Sequence, residues 1–397
     1  MTLETYKKVS LELALNSRVS TGGWKGIERA GKLGSQPLTP DQVEFIFYCL
    51  RHTPHISKES IVVECGGKRL DNEVHSLKDK KTGLEPIQYP GIKHPSIRLQ
   101  WNTEKKLRKV VFSTDNENAY WIERGMGQEM VHVAGAIAQV GINMIGGTYV
   151  DLVPMVPYFS KSPPEKYRKG TLPEPIRDGK NSAVECINKW KNSKTFTEEK
   201  VSRAQLGQLL WAGIGCTPHK TVRYHRYGTL TLGGQGKTIP SASATYTTTL
   251  YVIEEEGIFK YLNWDEEKNV ATHSLGIIRP GNMLKIGEYK DEGWVYTRSG
   301  KVSQEIQKIV PKIPKTPTYI VIASNGKLGP YLSLMEAGYS ALQIVLQAQA
   351  LQVASSIQVI SQIQMTKIKG ILGLNDSPVI FIPLSRKKNK KCTYFKE

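Results

Sequence analysis

Pro240-Ser241-Ala242-Ser243-Ala244-Thr245-Tyr246 runs directly into Thr247-Thr248-Thr249-Leu250-Tyr251-Val252-Ile253. Small side chains fill the first half, so a flat ligand or another backbone can approach closely. The second half is β-branched and apolar and reads as a strand. By itself the stretch is equally a Pro-Ser turn feeding a core strand, and its neighbours decide between the two. Upstream, Leu206-Gly207-Gln208-Leu209-Leu210-Trp211-Ala212 has the apolar density of a buried helix and is ended by Gly213-Ile214-Gly215-Cys216-Thr217-Pro218. Thr197 before Glu198-Glu199-Lys200 reads as that helix's cap. Downstream, Glu254-Glu255-Glu256-Gly257 turns the chain into Ile258-Phe259-Lys260-Tyr261-Leu262, a second strand of a hairpin.

The remaining elements follow from the same patterns. Residues 1 to 15 read as a helix, broken by the polar loop 16–23. Thr39-Pro40 starts another, with Val43, Ile46, Phe47 and Leu50 on its apolar face. Ile61 to Cys65 and Lys109 to Ser113 read as strands. An apolar, glycine- and alanine-rich helix is expected from Gln128 to about Ile142. The segment 228–238 reads as a glycine-rich turn. Thr318 to Ala323 is a buried-type strand, Leu332 to Leu351 a long helix, Met365 to Leu372 a short one, and Pro378 to Leu384 a last strand. This order gives an α+β class, with a mostly antiparallel sheet packed by helices.

Charge and composition narrow the function. The 397 residues suit two domains or one large one. No apolar run is long enough for a membrane span, and residues 1–15 lack a secretory pattern, so a cytoplasmic address is expected. Cys49, Cys65, Cys186, Cys216 and Cys392 are odd in number, widely spaced and free of CxxC, which argues against a disulfide framework or a cysteine zinc site. No metal set is completed by the scattered histidines. A net charge of +18 attracts phosphates and polyanions, but no nucleic-acid module accompanies it. Gly233-Gly234-Gln235-Gly236-Lys237-Thr238 fails the P-loop pattern, because Thr231 stands where its first glycine belongs.

The chain also echoes itself. Glu123-Arg124-Gly125 matches Glu336-Ala337-Gly338, and Gln139-Val140-Gly141 matches Gln352-Val353-Ala354. Gln42 to Cys49 can be laid on Gln205 to Ala212, and Asn16-Ser17-Arg18 on Asn192-Ser193-Lys194. Two fused copies of one domain are expected, spanning 1–153 and 185–397. Between them, 154–184 is rich in proline and charge, the composition of a linker.

Five elements, in order and over about residues 185 to 385, resemble the nitroreductase-like flavoprotein superfamily, and within it the SagB-type branch. They are the Leu206–Gly215 helix, the Pro240–Val252 segment, Gly257-Ile258-Phe259-Lys260-Tyr261, the Glu336–Ala354 helix, and Ile371-Leu372-Gly373-Leu374 with Pro378–Leu384. The first half is similar more faintly, through Gly127–Gly141 and Ser17-Arg18. The resemblance implies a nitroreductase-like fold, bound FMN and a small-molecule or peptide substrate. The branch oxidises peptide azolines to azoles, and a peptide-modifying partner protein would go with that role. Such domains pair, here as an intrachain pseudo-dimer or a further homo-oligomer.

For the cofactor the resemblance implicates Lys191, Asn192, Ser193 and Lys194 as the phosphate loop. It implicates Ser241, Ala242, Ser243 and Ala244 as the wall along the flavin, Arg386 as a second phosphate contact, and Ser17 and Arg18 reaching across from the other domain. Ser243 stands in place of a family glycine and Thr247 in place of a proline. No catalytic residue is assigned, since Lys260-Tyr261, the one Lys-Tyr dipeptide of the hairpin, reads as structural. The alternative is a degenerate flavoprotein fold that binds a partner without chemistry.

Overall fold

The computed structural model describes residues 3–18, 20–21, 38–52, 61–65, 68–70, 97–101, 117–145, 149–224, 230–281, 283–290, 293–387 and 394–395. The expected strand at Lys109–Ser113 lies outside them. The first half holds α1 (Glu4–Lys7), α2 (Leu11–Ser17), β1 (Ser20–Thr21), α3 (Pro40–Arg51), β2 (Ile61–Cys65), β3 (Lys68–Leu70), β4 (Ile97–Trp101), α4 (Glu117–Ala138), β5 (Val140–Ile145) and β6 (Tyr149–Pro154). The second holds α5 (Ala183–Lys189), α6 (Arg203–Ile214), β7 (Cys216–Tyr224), β8 (Leu230–Lys237), β9 (Thr248–Glu254), β10 (Gly257–Asp265) and β11 (Val270–Pro280). It continues with β12 (Met283–Lys290), β13 (Gly293–Lys301), α7 (Val302–Ile309), β14 (Thr318–Ser324), α8 (Pro330–Ala350), β15 (Val353–Ser355), β16 (Gln358–Val359), α9 (Gln362–Leu372) and β17 (Ser377–Arg386). No helix among the described residues is long and apolar enough to cross a membrane.

Each half supplies one large sheet, beside the two-stranded pairs β7-β8 and β12-β13 of the second half. The first runs β1-β5-β6-β4-β2-β3, and the second β11-β10-β9-β14-β17-β15 with β16 beside β17. Without the edge strands β1 and β11, the orders become β5-β6-β4-β2-β3 and β15-β17-β14-β9-β10. These correspond strand for strand, and every neighbouring pair in both is antiparallel. Helices cover the sheets, and buried residues from both halves form one continuous core.

Local chemistry sets the helix ends. Thr39 and Ser202 each close a capping box with a glutamine three residues on, Gln42 and Gln205. Those two glutamines are the ones the internal repeat aligns. Ser202 therefore corrects the expectation for Thr197, whose hydroxyl instead donates to the Arg386 carbonyl at 2.8 Å. Ser10 caps α2 and splits the expected N-terminal helix in two. The segment expected as a glycine-rich turn is strand β8, paired with β7. Helix α4 begins at Glu117, well before Gln128, because Ala119, Ile122 and Met126 already face the core. The proline-rich segment 154–184 is a hydrogen-bonded strap. Arg168 and Leu172 donate to Ala271 and His273 of β11, and Gln208 of α6 holds both the N–H and the carbonyl of Ile176.

Helices α4 and α8 cross at the centre. A Cβ on Gly125 would overlap the Met335 carbonyl, and one on Gly338 would overlap the Ile122 carbonyl. These contacts are reciprocal: Gly125 and Gly338 are 213 positions apart in the sequence, and so are Ile122 and Met335. The helix starts, Glu117 and Pro330, keep the same offset, as do the left-handed residues that follow the helices, Gln139 (φ 57°) and Gln352 (φ 55°). Gly125→Ala and Gly338→Ala are each expected to destabilise by about 1–3 kcal/mol, overpacking outweighing the helix-propensity gain. Urea unfolding measures it.

Candidate functional site

A tight turn forms from Pro240 to Tyr246, with Ala242–Ala244 as a 3₁₀ turn. Ser241 Oγ donates to Glu336 Oε2 at 2.5 Å and accepts from the Tyr246 N–H at 2.8 Å. The other carboxylate oxygen, Glu336 Oε1, accepts from the Thr248 N–H at 2.8 Å. One buried acid on α8 therefore ties both ends of the stretch. Burial raises its pKa, and those hydrogen bonds oppose the rise. The tie holds a strained backbone: Ala244 (φ 51°) and Tyr246 (φ 48°) are left-handed without being glycine. Such residues cost on the order of 1–3 kcal/mol each and concentrate at ligand-binding walls. Ser241 and Ala242 remain partly exposed on this wall.

Two further groups back the wall. Arg18, at the C-terminal end of α2, donates through Nε to the Thr238 carbonyl (2.8 Å) and through Nη2 to that of Lys237 (2.6 Å). Its Nη1 has no partner although the residue is 1% exposed. Lys237 Nζ lies 4.6 Å from the centre of the Tyr246 ring and 3.4 Å from Asn263 Oδ1. Burial lowers the lysine's pKa and raises the tyrosine's. Lys237 and Tyr246 do not stand out in the sequence, because the glycines of β8 read as a turn and no local pattern indicates that the lysine folds back over the ring.

The basic loop is elsewhere. The Ser193 N–H donates to the Ser355 carbonyl, Ser193 Oγ accepts from Ser355 N, and Asn192 Oδ1 accepts from Ile357 N. Lys191 and Lys194 are exposed beside these anchors, and Arg386 is exposed on β17 where it pairs with Val353. Lys191, Lys194 and Arg386 thus gather at one sheet edge, past the C-terminal end of α8. The wall sits at that helix's N-terminal end, and from Glu336 to Gln349 the rise alone is about 20 Å. The site residues therefore fall into two sets. Arg18 from the first half meets the wall of the second, and the Lys191–Lys194 loop joins Arg386. Ser17 faces away from the wall, with its hydroxyl accepting from Ser160 N of the strap at 2.8 Å. Strand pairing also places Ser20-Thr21, beside β5, in the position that Asn192-Ser193 takes beside β15, so the loops match a few residues later than the sequence alignment placed them. Tyr261 is buried with its hydroxyl 2.8 Å from His273 Nδ1, which supports the structural reading of Lys260-Tyr261.

Buried acids line the helix crossing. Burial pushes Glu123 up to about 9 and Glu129 up to about 8, Arg18 partly opposing the latter, while burial brings His132 down to about 3.

Comparison with known proteins adds to this geometry. A family model described as the nitroreductase family matches residues 187–385. A solved structure described as a nitroreductase from Anabaena variabilis is similar over 91% of this chain and 91% of its own, with 11% identity and a TM-score of 0.50. One so described from Ralstonia eutropha covers 55% of this chain and 90% of its own at 19% identity and a TM-score of 0.38. An NADPH:FMN oxidoreductase from Vibrio harveyi covers 54% and 72% at 10% identity, with a TM-score of 0.31. No protein of curated function matches the chain.

Glu336→Ala is expected to lower stability by about 2–3 kcal/mol, because it leaves the Thr248 N–H buried without a partner. Glu123 keeps its proton in the folded chain at pH values where the unfolded chain has released it. Stability is therefore expected to fall as pH rises from about 4.5 to about 9. Unfolding at pH 5, 7 and 9 measures this slope, and Glu123→Gln should reduce it.

Proposed function

This chain belongs to the nitroreductase family, and on that premise we propose that it is an FMN-dependent oxidoreductase built from two copies of one nitroreductase-like unit. The observation that carries the reading is the strained Ser241–Tyr246 wall, held by Glu336 and backed by Arg18 from the other half. The residues present suit FMN. Ser241 and Ala242 offer a small, partly exposed surface for a flat ring, and Arg18 Nη1 is a cationic donor with no partner, suited to a negatively charged group. Bound FMN would supply two-electron chemistry at its ring. The chain's part is to hold the wall, exclude water and place proton-handling groups there. The matching strand orders, the 213-residue offset and the reciprocal glycine crossing support the two-copy reading.

The order of five sequence elements favours the SagB-type branch, with a peptide azoline as substrate and a peptide-modifying partner. That chemistry calls for a group that accepts a proton beside the wall. Lys237, over the Tyr246 ring and made less basic by burial, stands there. The rival reading, a fold that binds a partner without chemistry, draws on one observation: Asn192 and Ser193 spend their side chains on the backbone around β15.

The purified protein is expected to be yellow, with flavin absorbance, and to take up added FMN. A colourless protein that refuses FMN would establish the rival. Arg18→Lys keeps the charge but loses the fork, and should weaken FMN binding by about 10- to 100-fold in a fluorescence titration. Lys237→Met should retain flavin and lose the proton-dependent step, seen as a flattened pH profile.

A further inference from the structure

One face of α8 is polar along its buried length. Glu336, Ser340, Gln343 and Gln347 follow at three- and four-residue spacing with Tyr339 beside Ser340, and none is more than 3% exposed. Opposite them, α4 presents Gln128, Glu129 and His132, all fully buried, and α2 presents Glu12. The pairs are Tyr339 Oη to Gln128 Oε1 (2.6 Å), Gln343 Nε2 to Glu129 Oε1, and Gln347 Nε2 to Glu12 Oε1 (2.6 Å). His132 Nδ1–H donates to the Gln128 carbonyl at 2.9 Å, which makes Nε2 an acceptor.

These pairs leave polar atoms over. Ser340 Oγ, Gln343 Oε1, Gln347 Oε1, Glu129 Oε2 and His132 Nε2 are buried with no hydrogen-bond partner. Leftover polar groups at this density are the mark of internal water. The spacing suits it. One turn of helix rises about 5.4 Å, and two hydrogen bonds through one water span about the same distance.

The crossing does not require this polarity, and the chain contains its own control. The α4 positions 213 residues before Tyr339, Gln343 and Gln347 are Met126, Met130 and Ala134, all buried. Similarly, the α8 positions 213 residues after Gln128, Glu129 and His132 are Ala341, Leu342 and Val345. Each of these counterparts is apolar in an equivalent place.

We propose that the polar face of α8 is a water-bridged proton path. It runs from Glu12, beside Tyr394 at the C-terminal end of the helix, past Glu129 to Glu336 at the wall. This rests on the flavin reading for its purpose, since it would bring protons to that wall. A proton enters at Glu12 and one leaves at Glu336, and no electron moves along the path. Glu129 is the relay in the middle. His132 faces it from its own helix, Arg18 from the loop after α2, and Gln343 and Tyr339 from α8. Burial keeps Glu12, Glu129 and Glu336 in the neutral, proton-bearing form to higher pH than an ordinary carboxyl.

Two readouts need no flavin. A crystal structure should contain ordered waters at Ser340 Oγ, Gln343 Oε1 and Gln347 Oε1. The infrared spectrum at neutral pH should carry the carbonyl stretch of a protonated carboxylic acid, weakened in Glu129→Gln. Dry side chains paired directly with one another, or an unchanged band in a folded Glu129→Gln protein, would overturn the path. The double variant Glu129→Leu/Gln343→Met copies the apolar counterparts. It should fold with undiminished stability, because both partners of the pair are removed together. With FMN bound, it should slow the proton-dependent step by about 100-fold while flavin affinity holds. Marked destabilisation, or an unchanged rate and solvent isotope effect, would make the pair structural and refute the relay. A colourless protein would defeat the flavin reading and leave the water and infrared tests standing.

Discussion

The crossing of α4 and α8 is a contact of backbone on backbone. Gly125 lies against the Met335 carbonyl and Gly338 against that of Ile122, so neither position has room for a side chain. Much else follows from that approach. It brings the polar face of α8 against α4, and it carries Glu336 to where one carboxylate can grip both ends of the Ser241–Thr248 segment. It also lies within the one continuous core that buried residues of both halves form. Each helix carries its crossing glycine two positions after a glutamate, but the two glutamates differ: Glu336 has its two bonds, whereas Glu123, at the corresponding place, is buried with no partner for either oxygen.

The wall combines strain with restraint. Two left-handed non-glycine residues would relax in an isolated peptide. Here a serine hydroxyl, a threonine amide and a buried acid over-determine the turn, and the Arg18 guanidinium holds the two carbonyls just upstream. The arginine comes from about 220 residues earlier in the chain, so the wall of one half is completed by the other.

Legibility followed the range of the interactions. The helix after Thr39, the strands at 248–254, 257–265 and 318–324, and helix α8 were readable because capping, turn chemistry and periodicity are local. Glu-x-Gly and the Gln that follows each helix are also visible in the sequence, and both fall at matching places around the helix crossing. Strand β8 was missed because four glycines in eleven residues mimic a turn, and only pairing with β7 makes the segment extended. The strap looked like a linker because proline content reports local stiffness and is silent about the edge of β11 that receives it. Of the candidate site residues, the motif order singled out the Pro240–Tyr246 stretch and the basic loop. It could not reveal that about 20 Å of helix α8 separates them, nor that Lys237 and Tyr246 meet, since both facts depend on contacts distant in sequence.

Under the proposed two-copy reading, the 213-residue offset has an evolutionary side. In a symmetric pair of identical chains every substitution is made twice, and a residue that suits one face of the crossing is imposed on the other. A glutamate placed opposite a glutamine would be mirrored by the same pair across the axis, and two buried acids would come with it. Joining both faces in one polypeptide removes that coupling. Glu129 can stand against Gln343 while Leu342 and Met130 keep the mirrored positions dry. On that reading the covalent strap would give each face its own history, and let one side of the crossing specialise while the other is kept for packing.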